Sequence, residues 1–357
     1  MQENSAARED VRESGAGFSE LDLALVEALQ SAPRATWTQL GQALGVDATT
    51  VARRWERLRS EGLAWVTAYE PPRHATVAYV EVRCRARQFE SVSQALTRLP
   101  WVFGVDETAG DFDLFLSVAA TDLYSLGKAV HGTIGRLRGV VATHTCLGLT
   151  LFGEGSNWRT RAMEPASRAL LPESGIRTHE ARDTYSTHTR TRLGPQDAAL
   201  RAALGHDGRL GYKELAAAIG MSEYTARRRL HRMLRDREIT LRCDFAHSLA
   251  GYRAVALYRA VVPHPHLDQT GAALARMEQV RLCASVSGPH NLLVMVWVHD
   301  LDGISTFENH LADRFPHLEV KDRTLTLHCP KRMGRLLDPV GRAIGHVPLA
   351  LPAGGGY

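Results

Sequence analysis

Near the start of the chain, apolar residues recur at a helical interval. Leu21, Leu25 and Leu29 lie one turn apart, and Ser19 and Asp22 are spaced as a capping box. A second helical segment begins at Thr36 and puts Leu40 and Leu44 on one face. Gly45-Val46-Asp47 then reads as a tight turn, with Asp47 placed to cap a third helix. Beyond it the pattern turns to strands. TVAYVEVRC is a strand, FESVSQALTRL a helix, and VFGVDET with FDLFLSVA a hairpin around Ala109-Gly110-Asp111; DLYSLGKAVHGTIGRL and VVATHTCLGLTLF add a helix and a closing strand. The order βαββαβ predicts a ferredoxin-like sheet with its helices on one face. The other face needs a cover.

The chain supplies one, because it is written twice. Leu21–Arg59 aligns with Gln196–Leu234 at a shift of about 175 residues: Asp22 answers to Asp197, Gly45 to Gly220 and Arg53 to Arg228. VFGVDETAGDFDLFLSVAATDL answers to VRLCASVSGPHNLLVMVWVHDL at a shift of about 178. The second half again runs from three helices to six strand and helix segments, from YRAVALYRAVV to EVKDRTLTLHC. The predicted fold class is therefore α+β, with two helix-turn-helix domains and two ferredoxin-like domains in tandem. The expected divisions are a flexible arm at 1–17, a helix-turn-helix domain at 18–70, a sheet domain at 74–153, a partly disordered linker at 154–192, a second helix-turn-helix domain at 193–245, a second sheet domain at 251–329 and a loose tail at 330–357. Each sheet is expected to cover the other's bare face.

Composition narrows the class without naming a function. Hydrophobic residues at 44% and charged residues at 23% describe an ordinary globular protein, and no apolar run is long enough to span a bilayer. Five scattered cysteines without a CxxC pair favour reduced thiols in a cytoplasmic protein. Sixteen histidines, His264 and His266 among them, lack a compact ligand spacing, so no metal is expected. No GxSxG elbow, P-loop or GxGxxG signature is present; neither a cofactor nor an enzyme is implied by these motifs. The net charge of +4 is a mild hint of an anionic partner, and since only four of 43 basic residues are lysines, placement matters more than count.

Placement is informative in SEYTARRRLHRMLRDREI, where six arginines fall in one helix. At 100° per residue Ala226, Leu230 and Met233 form the buried stripe, while Arg228, Arg232 and Arg235 point away and Tyr224 and Thr225 sit at the start. In the first half Val51, Trp55 and Leu58 point inward, and Thr49, Thr50, Arg53 and Arg57 outward. A lone basic amphipathic helix is most often a solvated face. The same helix–turn–helix spacing occurring twice argues for a DNA-reading helix, whose exposed N-terminal side chains enter the major groove. The candidate DNA-binding residues are Thr49, Thr50, Arg53, Arg54, Arg57, Tyr224, Thr225, Arg228, Arg229 and Arg232. Glu56 and Glu61 dilute the first helix, so the second is expected to supply more phosphate affinity.

On these residues the chain resembles the Lrp/AsnC (feast/famine) family of bacterial transcription regulators, in tandem-duplicated form. The resemblance runs from Phe18 to about Arg342 and is carried by LDLALVEALQSAPRATWTQLGQALGVDATTVARRWERLRSEGL and by the hairpin glycine in TAGDFDLFL. It implies double-stranded DNA as a partner, an amino-acid effector, an intramolecular pseudo-dimer and further homo-oligomerisation. The family's effector region corresponds to Gly110, Asp111 and Asp113, although these residues also suit a plain hairpin turn. In the second half Gly288 and Asn291 remain, but both aspartates are replaced, which puts a matching second site in doubt. Siroheme decarboxylases resemble the same tandem architecture, and that alternative would set His247 or His290 against tetrapyrrole propionates. A sensor or assembly module without DNA binding is the third reading.

Overall fold

The computed structural model describes residues 17–71, 75–172, 183–184 and 194–352. The first half opens with α1 (Glu20–Ser31), α2 (Trp37–Leu44), α3 (Ala48–Ser60) and strand β1 (Ala64–Tyr69). Each helix starts where its sequence caps it. Ser19 and Asp22 form a reciprocal capping box on α1, Thr36 and Gln39 another on α2, and Asp47 accepts the Thr50 N–H at 2.8 Å on α3. Gly45 turns the chain between α2 and α3 at φ +69°, a left-handed conformation that costs an L side chain about 1–2 kcal/mol.

There follow β2 (Thr76–Cys84), α4 (Phe89–Thr97), β3 (Val102–Ala109), β4 (Leu114–Ala120), α5 (Leu123–Gly132) and β5 (Val140–Gly153), then the short α6 (Pro165–Ala169) and β6 (Asp183–Thr184). The second half repeats the plan with α7 (Pro195–His206), α8 (Tyr212–Ile219), α9 (Glu223–Arg235), β7 (Thr240–Phe245), β8 (Ala254–Val261), α10 (His264–Leu274), β9 (Val280–Val286), β10 (Leu292–Val298), α11 (Asp302–Arg314) and β11 (Glu319–Arg332). A hairpin of β12 (Arg335–Leu337) and β13 (Ala343–His346) closes the chain.

Within each half the sheet order is β5-β2-β4-β3 and β11-β8-β10-β9, the ferredoxin-like arrangement. The two sheets do more than face one another. β5 pairs with β9 and β3 with β11, both antiparallel, so eight strands close into a ring without a free edge. Val77, Tyr79, Phe115, Leu257, Ala284 and Leu293 fill its interior. Outside, Val80 and Leu116 pack with Val92, Leu96 and Leu126 of α4 and α5, and Tyr258 and Val294 with Leu274, Phe307 and Leu311 of α10 and α11.

The helix-turn-helix units also share one core, which includes Leu25, Leu40, Trp55, Leu200, Leu215 and Leu230. Strands β1 and β7 pair antiparallel over their full length, from Ala64 opposite Phe245 to Tyr69 opposite Thr240. Antiparallel pairing of equivalent strands relates the two units by an approximate two-fold axis. Reciprocal arginines reinforce it. Arg34 donates to the Gly208 and Leu210 carbonyls at 2.7 and 2.9 Å, and Arg209 to those of Pro33 and Ala35 at 2.6 and 3.0 Å.

Two segments depart from expectation. The stretch after β5 is no loose linker over 154–172. Trp158 is buried against Phe245 and Trp297, while Met163 donates its N–H to fully buried Glu27 at 2.8 Å and Arg168 pairs with the same carboxylate. The expected tail is also built in through 352: Ala343 donates to the Gly62 carbonyl at 2.8 Å and Arg335 to that of His206 at 2.7 Å. The expected arm through residue 16, most of 173–193 and the last five residues lie outside the described residues.

Candidate nucleic-acid interface and effector loops

Recognition helices α3 and α9 bury the predicted stripes: Val51, Trp55 and Leu58 in one, Ala226, Leu230 and Met233 in the other. Their opposite faces divide into two groups. Arg54 and Arg57 turn back onto α1, where the Asp22 carboxylate receives them at 3.3 and 2.5 Å. Arg229 and Arg232 meet Asp197 of α7 at 2.9 and 2.6 Å in the same way. Asp22 is buried, which pushes its carboxyl up, but hydrogen bonds from Ser19 and the Arg57 charge outweigh this and hold it below the ordinary carboxylate range. The Asp197 hydrogen bond raises Arg232 in turn. Four of the ten candidate DNA-binding residues thus clamp the recognition helix to the first helix of its unit, a role the helical wheel alone does not reveal.

The second group is open. Arg53 and Arg228 are exposed, and among the described residues neither has an ion-pair partner. Thr49 and Thr50 both donate hydroxyls to Asp47, holding its carboxyl well below its usual value. Thr225 meets the Ser222 cap at 2.9 Å, and Tyr224 is 74% exposed. Arg227 is an exposed member of this face that the wheel passed over; its guanidinium lies 5.5 Å from the Tyr212 ring.

The hairpin loops at Gly110 and Gly288 contain a matching surprise. Asp113 accepts the Cys84 N–H at 2.6 Å, locking the end of β2. Asn291 does this job for the second half, accepting from the Val262 N–H at 2.9 Å and donating to its carbonyl at 2.7 Å. The replacement of aspartate by asparagine keeps the lock. Asp111 is exposed, its carbonyl taking the Arg83 Nε at 2.9 Å. Each glycine faces the last strand of the other half: a Cβ on Gly110 would come within 3.3 Å of Thr324, and one on Gly288, at φ +109°, within 3.7 Å of Cys146. Between the loops Glu81 pairs with Arg259, with His144 2.9 Å from Glu81 and Asp322 paired to Arg259. Glu81 and Arg259 occupy equivalent strand positions, so this network straddles the two-fold.

His247 and His290 do not share a cavity. His247 is stacked on Trp297 at 4.5 Å in a cavity of about 110 Å³, whereas His290 lies on the Gly288 loop. Among the described residues no group of three or more His, Cys, Asp or Glu is arranged to hold a metal ion, and no helix is long and apolar enough to cross a membrane.

Two helix-turn-helix units on a ring of two ferredoxin-like sheets define a tandem regulator-type architecture, and sequence comparison gives the same division. The AsnC-type helix-turn-helix domain matches residues 18–59 and 196–234, and the Lrp/AsnC ligand binding domain matches 77–152 and 260–332. The chain belongs to the Lrp/AsnC family, with both of its domains present twice. Among its relatives are the HTH-type transcriptional regulator FL11 of Pyrococcus horikoshii, 26% identical over 141 residues that cover 38% of this chain and 93% of that protein. Another is the HTH-type transcriptional regulator LysM of Saccharolobus solfataricus, 25% identical over 134 residues, 37% of this chain and 94% of the relative. Both are archaeal proteins and lend no support to a bacterial origin. The siroheme decarboxylase NirDL has the same fold across both halves, with a TM-score of 0.57 at 15% identity, covering 88% of this chain and 93% of that one.

Proposed function

We propose that this chain is a transcriptional regulator that binds duplex DNA through α3 and α9, one chain presenting both halves of a family dimer. The observation that carries the reading is the pair of recognition helices held by equivalent aspartate–arginine clamps, each with an exposed arginine, Arg53 or Arg228, that has no ion-pair partner among the described residues. Thr49, Thr50, Tyr224, Thr225 and Arg227 complete the two reading faces. Guanidinium groups without an internal partner are available to guanine edges or phosphates, and phosphate contacts release counterions. The reading places the protein in the cytoplasm and includes self-association between chains.

Binding of the full chain to duplex DNA, followed by fluorescence anisotropy against salt, tests it. Arg228→Ala should cost about 1–2 kcal/mol and lower the salt slope by about one, and Arg53→Ala somewhat less. No binding at low salt, or an unchanged slope in both variants, would sink the reading. For sensing, Asp111 is the favoured receiver of an α-amino group, because Asp113 is engaged by Cys84. Amino acids that shift DNA affinity in the native chain and not in Asp111→Ala would support it. The decarboxylase alternative draws on the shared fold with NirDL. The cavity around His247, at about 110 Å³, is below the roughly 300–1,000 Å³ of ordinary ligand pockets. A Soret band on titration with an iron tetrapyrrole would favour that alternative.

A further inference from the structure

Opposite its buried stripe, each recognition helix carries one row of side chains at the helical interval i, i+3, i+4, i+7. The row is Thr49, Ala52, Arg53 and Glu56 on α3, and Tyr224, Arg227, Arg228 and His231 on α9. All are exposed save Ala52, which is half-buried. Position by position, only the arginine recurs.

The rows differ in charge as well as shape. Arg53 against Glu56 leaves the first neutral, while Arg227 and Arg228 make the second doubly positive. Glu56 stands where α9 has His231, whose Nε2 lies 3.0 Å from the Tyr212 hydroxyl. The Glu56 side chain is 61% exposed, and Arg59 holds its carboxylate through Nε at 3.2 Å and Nη2 at 2.8 Å. That pair fixes the carboxylate yet leaves lone pairs unused, because its two oxygens offer about four acceptor sites. Phosphates repel such a group, and the acceptor edge of guanine gives it nothing to bind. Cytosine N4 offers it a donor in the major groove. On α9 the same row presents arginine donors, which suit guanine O6 and N7.

A pair of like helices related by a two-fold axis reads an inverted repeat. Here the antiparallel pairing of β1 with β7 supplies an approximate axis, but the two heads are unlike and belong to one chain. They cannot exchange places on an asymmetric duplex without losing contacts. We propose that the chain binds an inverted repeat with unlike halves in one fixed orientation, and that Glu56 selects a C·G pair under α3 by accepting from cytosine N4. Arg53 and Arg228 would give the two halves their common pair. The inference rests on the DNA-binding reading above and adds to it which duplex is preferred and why.

Selection of duplexes from a random pool by the full chain tests it. The native chain should enrich an inverted repeat whose halves differ at fixed positions. Glu56→Ala should cut the preference for C·G at one pair of one half roughly tenfold in competition binding, and leave the other half unchanged. Thr49→Tyr, Ala52→Arg and Glu56→His together write the α9 row into α3, and that variant should enrich a repeat with like halves. The three positions lie off the buried stripe and off the Asp22 clamp, so the fold is kept. A palindrome enriched by the native chain, one half-site alone, or retention without sequence preference would overturn the proposal and leave DNA binding standing. A C·G preference that survives Glu56→Ala would overturn the role of Glu56. Retention of no duplex at low salt would overturn the DNA-binding reading, and this inference with it.

Discussion

The two helix-turn-helix units agree where they face themselves and agree only in part where they face solvent: Thr50 and Arg53 recur as Thr225 and Arg228, and their exposed neighbours do not recur. Asp22 with Arg54 and Arg57, and Asp197 with Arg229 and Arg232, form equivalent clamps, and Arg34 and Arg209 exchange reciprocal carbonyl contacts. On the reading faces, by contrast, Thr49 answers to Tyr224, Ala52 to Arg227 and Glu56 to His231. Duplication has preserved the frame and released part of the surface. Residues that hold helices together in both copies are therefore distinguishable from exposed residues that differ between them.

The clamps offer the largest break in this comparison. Asp22→Ala removes the shared partner of two arginines and one arm of the α1 capping box, since Asp22 also accepts the Ser19 N–H at 3.0 Å. Urea unfolding of the full chain should show a loss of about 2–3 kcal/mol, below the 3–5 of a fully buried pair because both arginines keep some solvent. Asp197→Ala should cost less, about 1–2 kcal/mol, because the N-cap of α7 is Gly194 and there is no side-chain cap to lose. Equal losses would mean that the capping arm contributes nothing.

A subtler contrast separates the strand locks. Asn291 both accepts from and donates to Val262, so Asn291→Asp sets a carboxylate against a carbonyl and should cost about 1–3 kcal/mol. Asp113→Asn keeps the acceptor for Cys84 and should cost less than about 1 kcal/mol in the same unfolding measurement.

The smallest effect distinguishes the seams of the ring. In one, His328 of β11 stands opposite Glu107 of β3 with 3.3 Å between Nδ1 and Oε2; in the other, the equivalent positions are Thr150 and Ser285. The Glu107 hydrogen bond raises His328, so its contribution is fully present below the unfolded value of 6.5 and is lost as pH rises through the higher folded value. Glu107 is lowered by the same bond, and its contribution is lost only as pH falls through a value below 4.5. Hydrogen exchange should therefore find the β3–β11 seam loosening by up to about 1 kcal/mol as pH is taken above neutrality. The β5–β9 seam should stay unchanged.

Much of the frame was legible in the sequence because local rules govern it. Helical spacing located α1 to α3, and the shift between halves announced the tandem plan. What escaped was long-range. The ring's seams join strands from different halves, and no local pattern encodes which edges meet. Arg57 looks outward on a wheel, yet 35 residues separate it from the carboxylate that receives it. Trp158 sat in a stretch rich in turn formers and charge, and its burial depends on a pocket built by Phe245, Tyr252 and Trp297 from the other half.

The closed ring also alters how abundance translates into action. Separate subunits pair in proportion to the square of their concentration when dilute, so a falling supply dismantles them before it exhausts them. Here the partner is tethered within the chain, and dilution leaves the pairing intact. The paired form scales linearly with chain number down to a single molecule, and one inherited substitution alters one head while its twin stays as it was.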